Sequence, residues 1–359
     1  MFKFNVENTK ARYPLLDLLR YFAALLVALM HWGLELGPER MQSVYRIPIL
    51  GFLIQNGAFG VDIFFLISGF VIIETARRKD SLDFLIARFI RLFPGLLISM
   101  TIVLFVGTYF IGSYELSFSS YINSIFLTYQ AVGAQPLATQ LWTLIYEIKF
   151  YGAIAILLLV ANRAFKSSTG ILLILVCWQA IVYFISNLHS EYSTEILNYA
   201  SLGRLGNLFA LGICINILSK IKLKNMLRTY PTIALSIYFC VKASDNSFYD
   251  LGPGLLMAFS AATIFFSPKI KFGHIPTEIF KIAGLSSFLI YLLHVHIGMA
   301  FIMFFQEHFT RNLFVLLTAV TLFITVFSTL VAWYLEKPLQ DLLKSKFETF
   351  RKLSVDRNN

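Results

Sequence analysis

Apolar runs of membrane length recur from one end of this chain to the other, separated by short polar segments. Taking about 20 apolar residues as the requirement for a helix that crosses a hydrocarbon core, about ten candidate spans can be drawn. They lie near 13–32, 50–74, 93–112, 141–161, 169–187, 202–219, 229–243, 251–267, 281–305 and 312–335. The seventh and eighth are short, and one of them fits a re-entrant segment. The pattern predicts an all-α, polytopic membrane domain over residues 1–344, followed by a polar tail over 345–359. The first run is too long for the h-region of a signal peptide and contains Asp17 and Arg20, so it reads as a true span.

The polar segments between the runs are asymmetric. One alternate set carries Lys3, Lys10 and Arg12, then Arg77, Arg78, Lys79, Arg88 and Arg91, then Arg163 and Lys166, then Lys220, Lys222, Lys224 and Arg228, then Lys269 and Lys271, and finally the C-terminal lysines and arginines. The other set has Arg40, Arg46, Lys242 and Arg311. The excess of cations on one side predicts that both termini are cytoplasmic. Between Glu74 and Pro94 the residues Leu82, Leu85, Ile86, Phe89 and Ile90 recur at helical spacing around Arg88 and Arg91, which predicts an amphipathic helix on the cytoplasmic surface.

Composition strengthens this picture. The chain has 359 residues, 57% hydrophobic and 14% charged, against about 25% charged in a soluble domain. Its mean hydropathy is +0.71. The net charge of +10 follows from the loop bias, and no nucleic-acid partner is expected. Cys177, Cys214 and Cys240 lie in or beside apolar runs, without metal-ligand spacing. No metal site is expected, and no Walker loop, GxSxG, HExxH or CxxC motif occurs.

Chemistry must therefore come from scattered ionisable residues, which are costly inside a bilayer and default to functional candidates. In the first span Asp17 and Arg20 share a face, and His31 lies eleven residues beyond Arg20, about 16 Å up nearly the same stripe. The plainer alternative is an Asp–Arg structural pair plus an interfacial His beside Trp32. The second span carries Asp62 in its outer half and Ser68 near its middle; Asp62 also fits a helix cap. In the fourth, Trp142 fits an interfacial anchor, whereas Glu147 sits about two turns deep and needs a partner. Arg204 opens the sixth span. His294 and His296 lie in the ninth, two apart and on different faces, and Glu336 ends the tenth.

Taken in order, these segments resemble the acyltransferase-3 family, which includes bacterial O-antigen and other surface-polysaccharide O-acetylases. Arg20, ten residues and His31 match its first-span signature. GVDIFFLISGF (60–70), the Arg88–Phe–Ile–Arg91 element before Pro94, LWTLIYEIKFY (141–151), IYLLH (290–294) and EKP (336–338) are similar to its later elements. Gly206 and Asn207 stand where the family suggests an acidic residue, and no extracytoplasmic esterase-like domain, which some members carry, is expected after the spans.

The resemblance implies a multi-pass protein of the bacterial inner membrane that takes an acyl group, acetyl first of all, from cytoplasmic acetyl-CoA. The acyl-CoA is a substrate, and no permanently bound cofactor is implied. The acceptor is a hydroxyl of a surface or lipid-linked glycan, with lipopolysaccharide O-antigen, exopolysaccharide, peptidoglycan and a small glycoside all open. His31 is then the expected general base, with Glu147 or Asp62 as its support. Asp17, Arg20, Arg77, Arg78, Arg88 and Arg91 are expected to bind the donor. Trp142, Ser68, Arg204, His294 and Glu336 serve the acceptor or the structure. An unperturbed imidazole, with pKa near 6.5, suits a base at neutral pH; an acyl-His intermediate is the alternative route. Two other classes fit the same charges: a transporter or flippase for a lipid-linked sugar or anion, and a sensor that needs no chemistry from His31. The sequence does not fix the oligomeric state.

Overall fold

A computed structural model describes residues 13–35, 47–111, 118–187, 203–220, 227, 230–242, 251–309 and 312–356. Among these all regular structure is helical. In chain order the helices are α1 (Pro14–Glu35), α2 (Pro48–Gln55), α3 (Phe59–Ala76), α4 (Ser81–Val106), α5 (Phe118–Ile125), α6 (Trp142–Val160), α7 (Asn162–Lys166) and α8 (Ser168–Asn187). They continue with α9 (Gly203–Lys220), α10 (Tyr230–Lys242), α11 (Leu251–Phe266), α12 (His274–Leu293), α13 (His296–His308), α14 (Leu313–Val331) and α15 (Lys337–Asp356).

Six stretches are long and apolar enough to cross a membrane: Pro14–Leu34, Phe59–Ala76, Ser81–Tyr109, Thr139–Val160, His274–Leu293 and Leu313–Arg351. Six, rather than the ten expected, meet that standard among the described residues. Ser168–Ile181, Leu205–Lys220 and Gly252–Phe266 are apolar but only 10–17 residues long, and at about 1.5 Å per residue such helices fall short of a ~30 Å core.

Three boundaries differ from the sequence pattern for identifiable reasons. The second expected span is divided at Asn56–Ala58, where a turn separates α2 from α3. The arginine-rich segment is no separate surface helix. Asp80 caps α4, its Oδ1 accepting the Asp83 N–H at 2.9 Å, and the helix runs through Pro94 to Val106. Leu82, Leu85 and Phe89 point outward. Phe84 is buried, and Arg88 and Arg91 turn inward to line an internal cavity. The ninth expected span is interrupted at His294–Val295, between α12 and α13. At the other end of the chain, a wide π-type turn over Ala332–Glu336 joins α14 to α15, which carries the polar tail as helix to Asp356.

Helix α3 packs against α9 and α1, while α1 packs against α12 and α4 against α6. The α3–α9 contact is set by small residues. A Cβ on Gly69 would lie 2.1 Å from the Phe209 carbonyl oxygen, and one on Gly212 would lie 2.1 Å from that of Leu66, so only glycine admits this backbone approach. Two buried apolar clusters result. One surrounds Phe70, Phe65 and Phe209, with Phe65 edge-on to Phe209 at 4.9 Å; the other joins Trp32, Met100, Ile290 and Ile324. Large apolar side chains such as Phe22, Leu159, Leu173, Leu322 and Leu330 face outward, as expected where the surrounding solvent is lipid.

Candidate active site

The interrupted helix organises the centre of the molecule. A break in an apolar helix frees carbonyl oxygens that lipid cannot satisfy, and here side chains take them up. Gln140 Nε2 donates to the Leu292 carbonyl at 2.6 Å. Trp32 Nε1 donates to the His294 carbonyl at 2.8 Å. His294 Nδ1 lies 2.8 Å from the Tyr291 carbonyl. A carbonyl can only accept, so Nδ1 carries the proton and the neutral ring keeps its lone pair on Nε2. That Nε2 is buried without a hydrogen-bond partner among the described residues.

The His294 ring faces His31, with centroids 5.1 Å apart, and Tyr291, at 5.9 Å. Tyr291 connects this histidine pair to a polar cavity of roughly 800 Å³, part of it open to solvent. Arg20 from α1, Ser68 from α3, Arg88 and Arg91 from α4, Thr143, Glu147 and Tyr151 from α6, and Ser287 and Tyr291 from α12 line it, among apolar neighbours. The hydroxyls of Tyr291 and Thr143 are 2.8 Å apart. Tyr151, one turn beyond Glu147, donates its hydroxyl to the Glu147 carboxylate.

Three guanidinium groups thus converge on one space, each positioned differently. Arg20 pairs with Asp17 at 3.8 Å. Arg88 donates to Thr75 Oγ1 at 3.0 Å and lies 5.7 Å from the Tyr151 ring centroid. Arg91 lies 3.9 Å from Glu336, whose carboxylate is fully buried and also accepts from Gln340 Nε2 at 2.8 Å. Convergent cations in a partly enclosed space suit a multiply charged anion.

Of the residues singled out in the sequence, Arg20, Ser68, Arg88, Arg91 and Glu147 share this cavity. His31 and His294 stand together beside it, and Asp17 and Glu336 each hold one of its arginines. Asp62 is fully buried on α3. Arg77 and Arg78 do not reach the lining: Arg77 donates to Ser168 Oγ at 2.9 Å, and Arg78 is exposed and lies 3.7 Å from Glu74. Trp142 is half exposed at the start of α6, edge-on to Tyr146 at 5.9 Å. The Arg204 side chain lies outside the described residues. No cluster of three or more His, Cys, Asp or Glu side chains among the described residues is placed to hold a metal ion.

Sequence reasoning passed over Tyr151, Thr143, Tyr291, Ser287 and Gln140. Tyr151 had a legible signal, lying four residues beyond Glu147 on the same helical face. Gln140 had none, because its partner is 152 residues away.

Membrane-length helices around an internal cavity lined by Arg20, Arg88 and Arg91 give the chain the character of an integral membrane protein. A family model described as "Acyltransferase domain" matches residues 13–337. The chain belongs to the acyltransferase-3 family. It is also similar to "Nodulation protein 10" of Rhizobium leguminosarum bv. viciae, at 32% identity over 179 residues, 44% of this chain and 47% of that protein. The chain thus spans about half the length of that curated relative. No solved structure matches it.

Proposed function

We propose that the protein moves an acyl group from acyl-CoA on the cytoplasmic face of a bacterial inner membrane to a hydroxyl of a surface or lipid-linked glycan, with acetyl-CoA as the simplest donor. The observation that carries this reading is the convergence of Arg20, Arg88 and Arg91 on one cavity that Tyr291 connects to the His31–His294 pair. The arginines bind the phosphates and polar arm of the donor. His31 acts as general base. As the acceptor oxygen bonds to the acyl carbon, His31 takes the hydroxyl proton; the carbon–sulfur bond then breaks, and CoA leaves as a thiolate that regains that proton. Glu147 or Asp62 supports the imidazolium, and His294, with Nδ1 tied to the Tyr291 carbonyl, fixes a ring beside the base. General-base assistance contributes about 10²–10⁴ in rate.

The test uses the full chain in nanodiscs with radiolabelled acetyl-CoA and a lipid-linked glycan fraction. Label passing to glycan, lost in His31→Ala, supports the reading. Loss in Arg88→Ala/Arg91→Ala that recovers at high acetyl-CoA assigns the arginines to the donor. The interruption at His294–Val295 also fits a transporter, since discontinuous helices commonly line transport sites. Solute movement in proteoliposomes without CoA release would decide for that second reading.

A further inference from the structure

A second hollow opens off the polar cavity. One face of α4 (the outward, partly exposed Leu85 and Phe89, with Phe93 and Leu96) and one face of α6 (Ile148 and Gly152) form its walls, and Ile125–Leu127, at the end of α5, borders it. The space is roughly 900 Å³, part of it open. Among the described residues its only charged lining residue is Arg88, which it shares with the polar cavity, together with Leu92, Leu144 and Tyr151. A molecule lying across that junction would keep a polar group at Arg88 and an apolar part in the hollow.

Two local features mark the lining of this space. Leu127 has φ +56, the single non-glycine residue with positive φ among those described. A non-glycine side chain in that region is strained, and such strain persists where surrounding structure enforces it. Opposite, a Cβ built on Gly152 meets nothing within 4 Å. The glycine therefore leaves room that no described neighbour fills, unlike the glycines buried at the α3–α9 contact.

We propose that this hollow receives the hydrocarbon chain of an acyl-CoA donor, so that the protein transfers acyl groups longer than acetyl. The inference rests on the acyl-CoA reading above and narrows its donor. From Arg88 to Leu96 the α4 face runs about 12 Å. A carbon zigzag with ~1.5 Å bonds at ~111° advances about 1.25 Å per atom, so the hollow suits chains of about six to ten carbons. No new bond chemistry is required: the acyl carbon passes from thioester sulfur to acceptor oxygen as before, and the chain behind it lies in the hollow.

The experiment compares acetyl-, butyryl-, octanoyl- and palmitoyl-CoA with the full chain in nanodiscs, following CoA release and glycan labelling. Each further methylene removed from water is worth up to about fourfold in affinity. We expect kcat/KM to rise at least tenfold from acetyl to octanoyl and to level off or fall by palmitoyl. Gly152→Phe, at a position where an added Cβ meets nothing within 4 Å, should remove that gain and leave acetyl transfer within about twofold. Ile148→Trp on the partly exposed wall provides a second variant if Gly152→Phe folds poorly. A non-hydrolysable octyl thioether of CoA with a terminal diazirine reads the site without turnover. It should label the 89–96 and 125–127 segments, in competition with unlabelled octyl-CoA but not with free CoA. A flat chain-length series with acetyl transfer intact overturns the hollow as a chain site and spares the acyltransferase reading. Labelling competed only by phospholipid or polyprenyl phosphate assigns the hollow to a membrane lipid and overturns the proposal. Specific octyl-CoA labelling without CoA release on any donor supports the hollow as the chain site but overturns the transfer of longer acyl groups, together with the acyltransferase reading.

Discussion

Arg91 and Glu336 form a pair whose two halves differ in environment, which makes its energetics testable. The Glu336 side chain is fully buried, the Arg91 side chain is 38% exposed, and their nearest atoms are 3.9 Å apart. At an effective dielectric of 20 the bare attraction at that distance is about 4 kcal/mol. Exposure of the arginine admits screening, so a net coupling of about 1–2 kcal/mol is expected. Arg91→Ala alone should cost more, about 2–4 kcal/mol, because it leaves a buried carboxylate with Gln340 as its remaining polar contact. Adding Glu336→Gln to Arg91→Ala should recover at least half of that loss, since a neutral amide needs no counter-charge. The cycle of wild type, two single variants and the double variant, unfolded reversibly in mixed micelles, measures the coupling. A coupling within about 0.3 kcal/mol of zero would show that the pair is solvent-screened despite the burial of Glu336, and the reasoning would fail.

Three further outcomes follow from the geometry. His31→Ala should lower glycan labelling by at least about 10² while leaving the donor's Kd, read by calorimetry, within about threefold. Trp32→Phe removes the donor to the His294 carbonyl; a loss of about 1–2 kcal/mol in unfolding free energy is expected, with kcat falling more than donor KM because the displaced ring is His294. Gly69→Leu or Gly212→Leu should prevent assembly altogether, scored as loss of a monodisperse peak on size exclusion, because either side chain must displace a backbone carbonyl 2.1 Å away.

The membrane character, the spans carrying α1, α3, α4, α6, α12 and α14, and the arginines and glutamate of the cavity were legible in the sequence. The reason is physical: lipid imposes long apolar runs, and a charge within one is conspicuous. Burial on packing was not legible. The stripe of Leu82, Leu85 and Phe89 looked like the underside of a surface helix, but in a lipid-embedded helix the apolar stripe faces outward, and Arg88 and Arg91 turn in. The interruption at His294–Val295 lies in an uninterrupted apolar run with neither Gly nor Pro at the break. Its cause is tertiary, in Trp32 and Gln140. The separation of Arg77 and Arg78 from Arg88 and Arg91 had no local signal either, since all four sit within fifteen residues of a basic stretch.

The partners of that interruption come from widely separated parts of the chain: Trp32 on α1, Gln140 just ahead of α6, and the backbone of α12 itself. While the polypeptide enters the bilayer, residues 274–308 have no reason to depart from one continuous helix, because nothing yet satisfies the carbonyls a break would free. The histidine pair and its approach from the cavity can form only when the first, middle and last thirds of the protein have met. A chain arrested before α12 docks would carry Arg20 and His31 on α1 without the His294 ring that packs against His31. The His31–His294 contact is in this sense a reporter of completed assembly.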